Sequence, residues 1–208
     1  VDPADGTVED TFDVLGEVEA LCALSAVHHD HPEWAFPEVA PADEPRLEAE
    51  ALGHPLLPLD ACVTNDVSVG PPGSFLLVTG SNMSGKSTLL RSIGLNAVLA
   101  QAGGPVCARS LKTTPVDLGT SFRVQDSLEA GVSFFMAELR RLKDIVDAAT
   151  GRHVAKGRTM LFLLDEILQG TNVFERQVAV RHVIVYLLEQ GAVGAISTHD
   201  LSLADAEG

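Results

Sequence analysis

The sequence predicts an α/β fold in which a mixed, largely parallel sheet is flanked by helices. The apolar run at 159–164, TMLFLL, has the composition of a strand that is buried on both faces. Helical periodicity at 133–149 and at 174–190 places one helix before this run and one after it. A short strand is expected at 192–197, and strands that alternate with helices in this way form largely parallel sheets.

The first 60 residues are expected to hold one helix and an acidic connector. Apolar residues within 8–29 recur at the spacing of an amphipathic helix, which His31-Pro32 would end. The segment 30–60 contains six of the 11 prolines and little periodicity, so we interpret it as extended. Residues 1–60 also carry 15 of the 29 acidic side chains and a single basic one. Because an acidic surface repels phosphate backbones, we expect this chain not to contact DNA directly.

Two short strands and a buried helix occupy the middle of the chain. The strands are expected at 66–69 and 75–79, on either side of the turn GPPG at 70–73. The apolar helix follows at 86–101 and stops at the Gly-Gly-Pro sequence of 103–105. These elements lead directly into the alternation of helices and strands that defines the fold class.

The helix at 133–149 is expected to be amphipathic. Its apolar stripe includes Phe135, Leu139 and Leu142, which recur at helical spacing. The opposite, polar face of the helix then includes Glu138.

Composition divides the chain near position 50. We expect residues 1–50 to form the N-terminal helix and the acidic, Pro-rich connector, and residues 51–208 to form the α/β domain. The sequence has no initiator methionine and no signal-peptide pattern, so we interpret it as a fragment cut at both ends. No apolar run reaches the length of a membrane-spanning helix. Three cysteines without paired spacing favour a reducing compartment, which predicts a cytoplasmic location.

The stretch TGSNMSGKST at 79–88 contains the pattern G-x-x-x-x-G-K-[ST] of a phosphate-binding loop. Gly80 and Gly85 allow backbone N–H groups to turn toward phosphate oxygens, and the ammonium group of Lys86 reaches the β- and γ-phosphates. The Ser87 hydroxyl coordinates Mg²⁺, and the following helix directs its positive end at the anion. The predicted ATP-binding residues are Gly80, Ser81, Asn82, Met83, Ser84, Gly85, Lys86, Ser87 and Thr88.

A carboxylate pair at the end of the buried strand supplies the second element that such a site needs. The run LFLLDE at 161–166 ends in Asp165 and Glu166. We expect Asp165 to hold Mg²⁺ together with Ser87, and Glu166 to act as the general base that activates the attacking water. A glutamate directly after the aspartate is typical of ABC-type ATPases, in which ATP lies between two subunits.

Two further candidates complete the site expected for that class. The motif STHD at 197–200 follows a predicted strand, so His199 is a candidate sensor of the γ-phosphate. Ser133 opens a predicted helix, and a helix N-terminus with a free hydroxyl is suited to γ-phosphate recognition on the opposite subunit. The order of these elements behind the phosphate loop predicts an ABC-type P-loop NTPase.

Together these motifs resemble the ATPase domain of the MutS mismatch-repair family. The matching stretches are TGSNMSGKST at 79–88, DSLEAGVSFFMAEL at 126–139, LLDEILQGTN at 163–172, STHD at 197–200, GHPLL at 53–57 and TND at 64–66. The segment at 13–27 resembles the family's helix leading out of the lever domain. The resemblance therefore assigns residues 1–50 to the lever region and residues 51–208 to the ATPase domain, truncated at its C-terminus.

The resemblance also implies a function. The domain would form a homodimer around two ATP molecules, use Mg²⁺, and couple ATP hydrolysis to a DNA-bound conformation through domains missing from this chain. Asn82 would place its amide near the γ-phosphate or the attacking water, and Asn172 would lie in the interface loop. Ser133 would complete the site of the opposite subunit, and Val63 and Thr64 would flank the adenine. The catalytic group would comprise Glu166, His199 and Asn82.

The sequence departs from the family's usual pattern in three places. MSG replaces MGG in the phosphate loop, LQGTN replaces GRGTST after the carboxylate pair, and SFFMAEL replaces STFMxE. These departures indicate a less-studied bacterial branch rather than a standard repair sensor. They leave open an ATP-gated dimerisation module that does not act in mismatch repair and is associated with a membrane. A chromosome-maintenance or transporter-type ABC ATPase is disfavoured, since GVSFFMAEL stands where that class has LSGGQ.

Overall fold

The computed structural model describes six stretches of the chain. They are residues 4–41, 46–81, 83–122, 134–150, 157–168 and 173–199. The helices in these stretches are α1 (Ala4–Asp30), α2 (Lys86–Gln101), α3 (Phe134–Ala149) and α4 (Val173–Glu189). The strands are β1 (Glu38–Val39), β2 (Leu47–Leu52), β3 (Asn65–Val69), β4 (Phe75–Thr79), β5 (Ser110–Thr113), β6 (Val116–Ser121), β7 (Thr159–Asp165) and β8 (Val193–Thr198).

Four strands form a fully parallel sheet in the order β4-β8-β7-β6. The central strand β7 is buried from its second residue to its last, as expected for a strand covered on both faces. In the register, Thr79 of β4 lies opposite Thr198 of β8, and Asp165 of β7 lies opposite Ser197 of β8. The carboxyl ends of these three strands therefore meet at one edge, and the segments that follow them converge there.

Helices cover both faces of the parallel sheet. Successive residues of β7 point to opposite faces, because side chains alternate along a strand. Leu163 belongs to a buried cluster with Leu90 of α2. Phe162 belongs to a second cluster with Leu142 of α3 and Ile184 of α4. The sheet is thus the middle layer of three, and its apolar central strand is the core of the domain.

A second sheet is mixed and has the order β1-β5-β2-β3. β2 pairs antiparallel with β3 and β5, whereas β1 pairs parallel with β5. The predicted α/β class is confirmed, but the mixed and parallel parts are two sheets rather than one. The segment 30–60 was predicted to be an extended connector; it is extended at Glu38–Val39 and at Leu47–Leu52, but both stretches are strands of this sheet. Leu47 and Ala49 are buried there and Glu48 between them is exposed, which is the alternation of a half-buried strand.

The N-terminal helix is confirmed as α1, and most of its described side chains are exposed. Near its C-terminal end Leu24 approaches Gly104, where a β-carbon would lie 2.9 Å from Leu24 Cδ2. None of the helices in the described stretches combines the length and the apolar character needed to cross a membrane. The division of the chain at position 50 stays a prediction.

Candidate nucleotide-binding site

The loop between β4 and α2 turns sharply and can surround a small anion with its backbone. Gly80, Met83 and Gly85 have φ angles of 153°, 64° and 91°, in the region that favours glycine. Gly85 is the N-cap residue of α2, and it has no side chain with which to cap the first turn. The N–H groups of that turn and the positive end of the helix dipole are therefore directed at the loop.

The ammonium group of Lys86 lies inside this loop. Its side chain is only 6% exposed. Nζ donates to the carbonyl oxygen of Gly80 at 3.1 Å and to that of Ser81 at 3.0 Å. The same atom lies 3.4 Å from Oε1 of Glu166, at the end of β7. A buried cation held by the loop itself supplies the positive charge that a phosphate group needs.

Hydroxyl and carboxylate oxygens meet where β7 and β8 end. The Ser87 hydroxyl donates to Oδ1 of Asp165 at 3.0 Å. The hydroxyl of Ser197 donates to the same oxygen. Mg²⁺ prefers oxygen ligands and is commonly held by one or two protein groups, with water and phosphate in the remaining positions. Ser87 and Asp165 therefore fit the predicted metal site by the chemistry of their donor atoms.

Glu166 lies between a cation and an imidazole. Its Oε1 is 2.5 Å from Nε2 of His199 and 3.4 Å from Nζ of Lys86. The residue has a φ of 48°, which is uncommon for a residue with a side chain. Its backbone N–H donates to the carbonyl oxygen of Ser197 at 3.1 Å. The turn after β7 thus brings the carboxylate beside the loop ammonium, where a general base acting on a γ-phosphate is expected.

A cavity of about 460 Å³ opens beside the phosphate loop. One wall comes from the start of α2, including Thr88, and the other from the segment before β4, including Val63 and Asn65. Val63, which was predicted to flank the adenine, therefore lines this cavity. Thr64 instead lines a separate cavity of about 280 Å³. The adenine contacts stay a prediction, and Asn65 is a polar lining residue that sequence reasoning did not single out.

Glu138 of α3 was predicted on the polar face of its helix, and that prediction was wrong. The residue is 5% exposed, and its Oε1 accepts the backbone N–H of Leu168 at 2.6 Å. Burial raises the pKa of its carboxyl, while the hydrogen bond from Leu168 acts in the opposite direction. Glu138, Leu142 and Ile145 stand at positions i, i+4 and i+7, which share one face of a helix. This spacing is the signal that could have predicted the burial.

Most of the predicted site residues lie in the phosphate loop or at the adjoining edge of the sheet. Those that the structure describes are Gly80, Ser81, Met83, Ser84, Gly85, Lys86, Ser87, Thr88, Asp165, Glu166 and His199. Asn82, Ser133 and Asn172 lie outside the described residues, so their roles stay predictions. Ser197 belongs to the STHD motif, but it was not predicted to be a site residue. Its contact with Asp165 depends on the pairing of β7 with β8, which no local pattern reveals.

The chain is similar to known proteins over most of its length. The family model described as MutS domain V matches residues 76–208. The chain is 35% identical over 205 residues to DNA mismatch repair protein MutS 1 of Haloarcula marismortui, covering 96% of this chain and 21% of that protein. It is 37% identical over 164 residues to DNA mismatch repair protein MSH6 of Arabidopsis thaliana, covering 74% of this chain and 12% of that protein. It is 32% identical over 196 residues to endonuclease MutS2 of Thermus thermophilus, covering 94% of this chain and 24% of that protein.

The matched stretch contains the segments whose charged and hydroxyl side chains meet at the edge of the parallel sheet, but not the cavity wall that includes Val63 and Asn65. It includes the phosphate loop, the carboxylate pair and the STHD motif. The chain spans between 12% and 24% of the length of these three relatives. Since the family model matches more than half of the chain and these relatives agree, the chain belongs to the MutS family, whose domain V it contains.

Proposed function

We propose that this chain is the ATP-binding and ATP-hydrolysing dimerisation domain of a MutS-like DNA mismatch repair protein. In this proposal, parts of the protein outside this chain contact DNA, and the ATP state of the domain is coupled to the DNA-bound conformation. The observation that carries the proposal is the meeting of Lys86, Asp165 and Glu166 at one edge of the parallel sheet. The names of the repair-protein relatives support the setting in mismatch repair.

The phosphate loop would bind the nucleotide through charge and backbone donors. Lys86 and the first-turn N–H groups of α2 would bind the β- and γ-phosphates. Ser87 and Asp165 would hold Mg²⁺, which when bound neutralises phosphate charge and orients the reacting group. The contact between Ser87 and Asp165 already brings the two donors together, at 3.0 Å.

Glu166 would act as the general base. It would accept a proton from the water that attacks the γ-phosphate, and His199 and Lys86 would hold its carboxylate in a fixed orientation. The side chain of His199 is 43% exposed, so it can also face the nucleotide. In a homodimer, Ser133 of the second copy would complete the site, and the protein would act in the cytoplasm.

A second candidate function keeps the site and changes the biological role. The domain would be an ATP-gated dimerisation module in a MutS-like protein that does not act in mismatch repair, and that is associated with a membrane. The observation that supports this candidate is that one relative is named endonuclease MutS2 rather than a mismatch repair protein, and it is 32% identical over 94% of this chain. The domain order of the full-length gene product separates the two. A mismatch-binding domain upstream supports repair, whereas transmembrane helices support the second candidate.

The proposed activity is tested by measuring ATP binding and phosphate release in the full-length protein, with and without Mg²⁺. Saturable ATP binding with Mg²⁺-dependent phosphate release supports the proposal. A correctly folded protein that binds no ATP would contradict it, because every assigned role depends on the phosphate loop.

A further inference from the structure

Glu138 of α3 is a buried carboxyl that the proposed chemistry does not use. Its Oε1 accepts the backbone N–H of Leu168 at 2.6 Å. Its Oε2 is buried and has no hydrogen-bond partner among the described residues. A buried carboxyl is costly when its oxygens are incompletely hydrogen-bonded, and an apolar side chain would fill the same space without that cost. The carboxyl at this position therefore points to a purpose other than stability.

The hydrogen-bond partner of Glu138 belongs to the turn that orients Glu166. Glu166 and Leu168 have φ angles of 48° and 60°, which residues with side chains keep only where the surroundings hold them. One end of the turn is held by the bond from Glu166 N–H to the Ser197 carbonyl, at 3.1 Å. The other end is held by Glu138. Leu168 is 1% exposed, so water has little access to this N–H group.

We propose that Glu138 is a positioning residue for ATP hydrolysis, which fixes the turn at 166–168 through Leu168 and so sets the orientation of the Glu166 carboxylate. This inference rests on the proposed function. In the sequence, α3 follows Ser133 directly. In the proposed dimer, Ser133 contacts the nucleotide of the opposite subunit, and Glu166 acts on the nucleotide of its own subunit. The hydrogen bond between Glu138 and Leu168 therefore connects the helix that follows Ser133 to the turn that carries Glu166. Because Glu138 lies one turn into α3, a shift of the first turn of this helix would be passed to Leu168 and Glu166 through the hydrogen bond.

Two substitutions at position 138 separate the hydrogen bond from the volume of the side chain. Glu138→Gln keeps an oxygen acceptor for the Leu168 N–H and imitates the neutral carboxyl, the form that burial favours by raising the pKa. Glu138→Met keeps a similar length and removes the acceptor. Leu142→Ala is the matched control for lost packing, since it removes apolar contacts on the same buried face of α3.

The test compares the three variants with the parent in the full-length protein. It measures steady-state ATP hydrolysis, ATP affinity, thermal unfolding and hydrogen exchange of the Leu168 amide. Glu138→Met should lower kcat about tenfold to a hundredfold, as expected when a reacting group is misplaced by about 1 Å. It should keep ATP affinity within about twofold, because the ground-state contacts are unchanged. It should also lose protection of the Leu168 amide, whereas Glu138→Gln should keep both protection and most of kcat.

Three results would overturn the positioning role. Glu138→Met could hydrolyse ATP at the parental rate, or the kcat of Glu138→Gln could fall as far as that of Glu138→Met. The loss of activity could also follow the loss of thermal stability in the same proportion as in Leu142→Ala. A parent protein without ATP hydrolysis would instead contradict the proposed function. The exchange of the Leu168 amide would then still report whether Glu138 holds the turn.

Discussion

Oε1 of Glu166 and Nε2 of His199 lie 2.5 Å apart and join the segments that follow β7 and β8. Neighbouring parallel strands place their carboxyl ends side by side, so two residues 33 positions apart in the sequence come into contact. Lys86 lies 3.4 Å from Glu166 and 3.5 Å from His199, which brings the phosphate loop to the same point. The predicted base, the predicted sensor and the loop cation thus form one cluster.

Removing the ammonium group of Lys86 should strongly weaken nucleotide binding. In Lys86→Ala, we expect ATP affinity to fall at least about thirtyfold, because truncating one partner of a buried charge pair costs 2–5 kcal/mol or more. Equilibrium titration with ATP measures the loss, and a thermal melt shows whether the variant is folded. A folded variant that binds ATP with parental affinity would contradict the assignment of Lys86.

The sequence predicts those helices and strands whose conformation depends on the apolar residues within the segment itself. The helix expected at 86–101 is Lys86–Gln101, and the run expected as a strand at 159–164 is Thr159–Asp165. Both are long apolar segments whose burial decides their conformation. The phosphate loop and the carboxylate pair adjoin these elements in the chain. Their meeting at one edge of the sheet could therefore be inferred before any contact was known.

The strands β5 and β6 were not predicted from the sequence, because they depend on distant partners. β5, with the sequence SLKT, has one large apolar residue and is a strand because it pairs with both β1 and β2. β6 contains Asp117 and Gly119, and it pairs with β7 about 40 positions later. The hydroxyl of Ser197 reaches Asp165 only through such pairing. Non-local contacts of this kind leave no periodic signal in the sequence.

Removal of the Ser87 hydroxyl should weaken the binding of Mg²⁺. Ser87→Ala should raise the Mg²⁺ concentration required for half-maximal ATP hydrolysis by at least about tenfold, because even the loss of a group that only supports a metal ligand typically costs that much. Ser197→Ala is the matched control, because its hydroxyl donates to the same Asp165 oxygen from β8. We expect Ser197→Ala to raise the required Mg²⁺ concentration by less than Ser87→Ala does. Equal Mg²⁺ titrations for Ser87→Ala and the parent would argue against a metal role for Ser87.

A shared site predicts complementation between two inactive variants. Ser133→Ala and Lys86→Ala subunits should each be impaired alone, and a mixture should regain part of the activity because one composite site in the mixed dimer is intact. Phosphate release from the mixture is the measurement, and differently tagged subunits confirm that mixed dimers form. Mixed dimers without any recovered activity would count against a site between two copies.

The buried carboxyl of Glu138 should make stability depend on pH. Its pKa is raised by burial above the usual 4.5, so the parent binds this proton more tightly when folded than when unfolded. The parent should therefore lose stability relative to Glu138→Gln as the pH rises from below 4.5 through the raised pKa. Chemical denaturation of both proteins across this pH range measures the difference. A difference that is constant with pH would exclude the raised pKa.

Replacement of Glu166, the proposed general base, tests the central claim most directly. Glu166→Gln keeps the size of the side chain but cannot accept the proton of the attacking water. We expect it to bind ATP with an affinity within about threefold of the parent, and to release phosphate about a hundredfold to ten-thousandfold more slowly, the usual contribution of a general base. A single-turnover measurement of phosphate release from bound ATP separates the two effects. Release at the parental rate from a folded, ATP-bound Glu166→Gln protein would contradict the account.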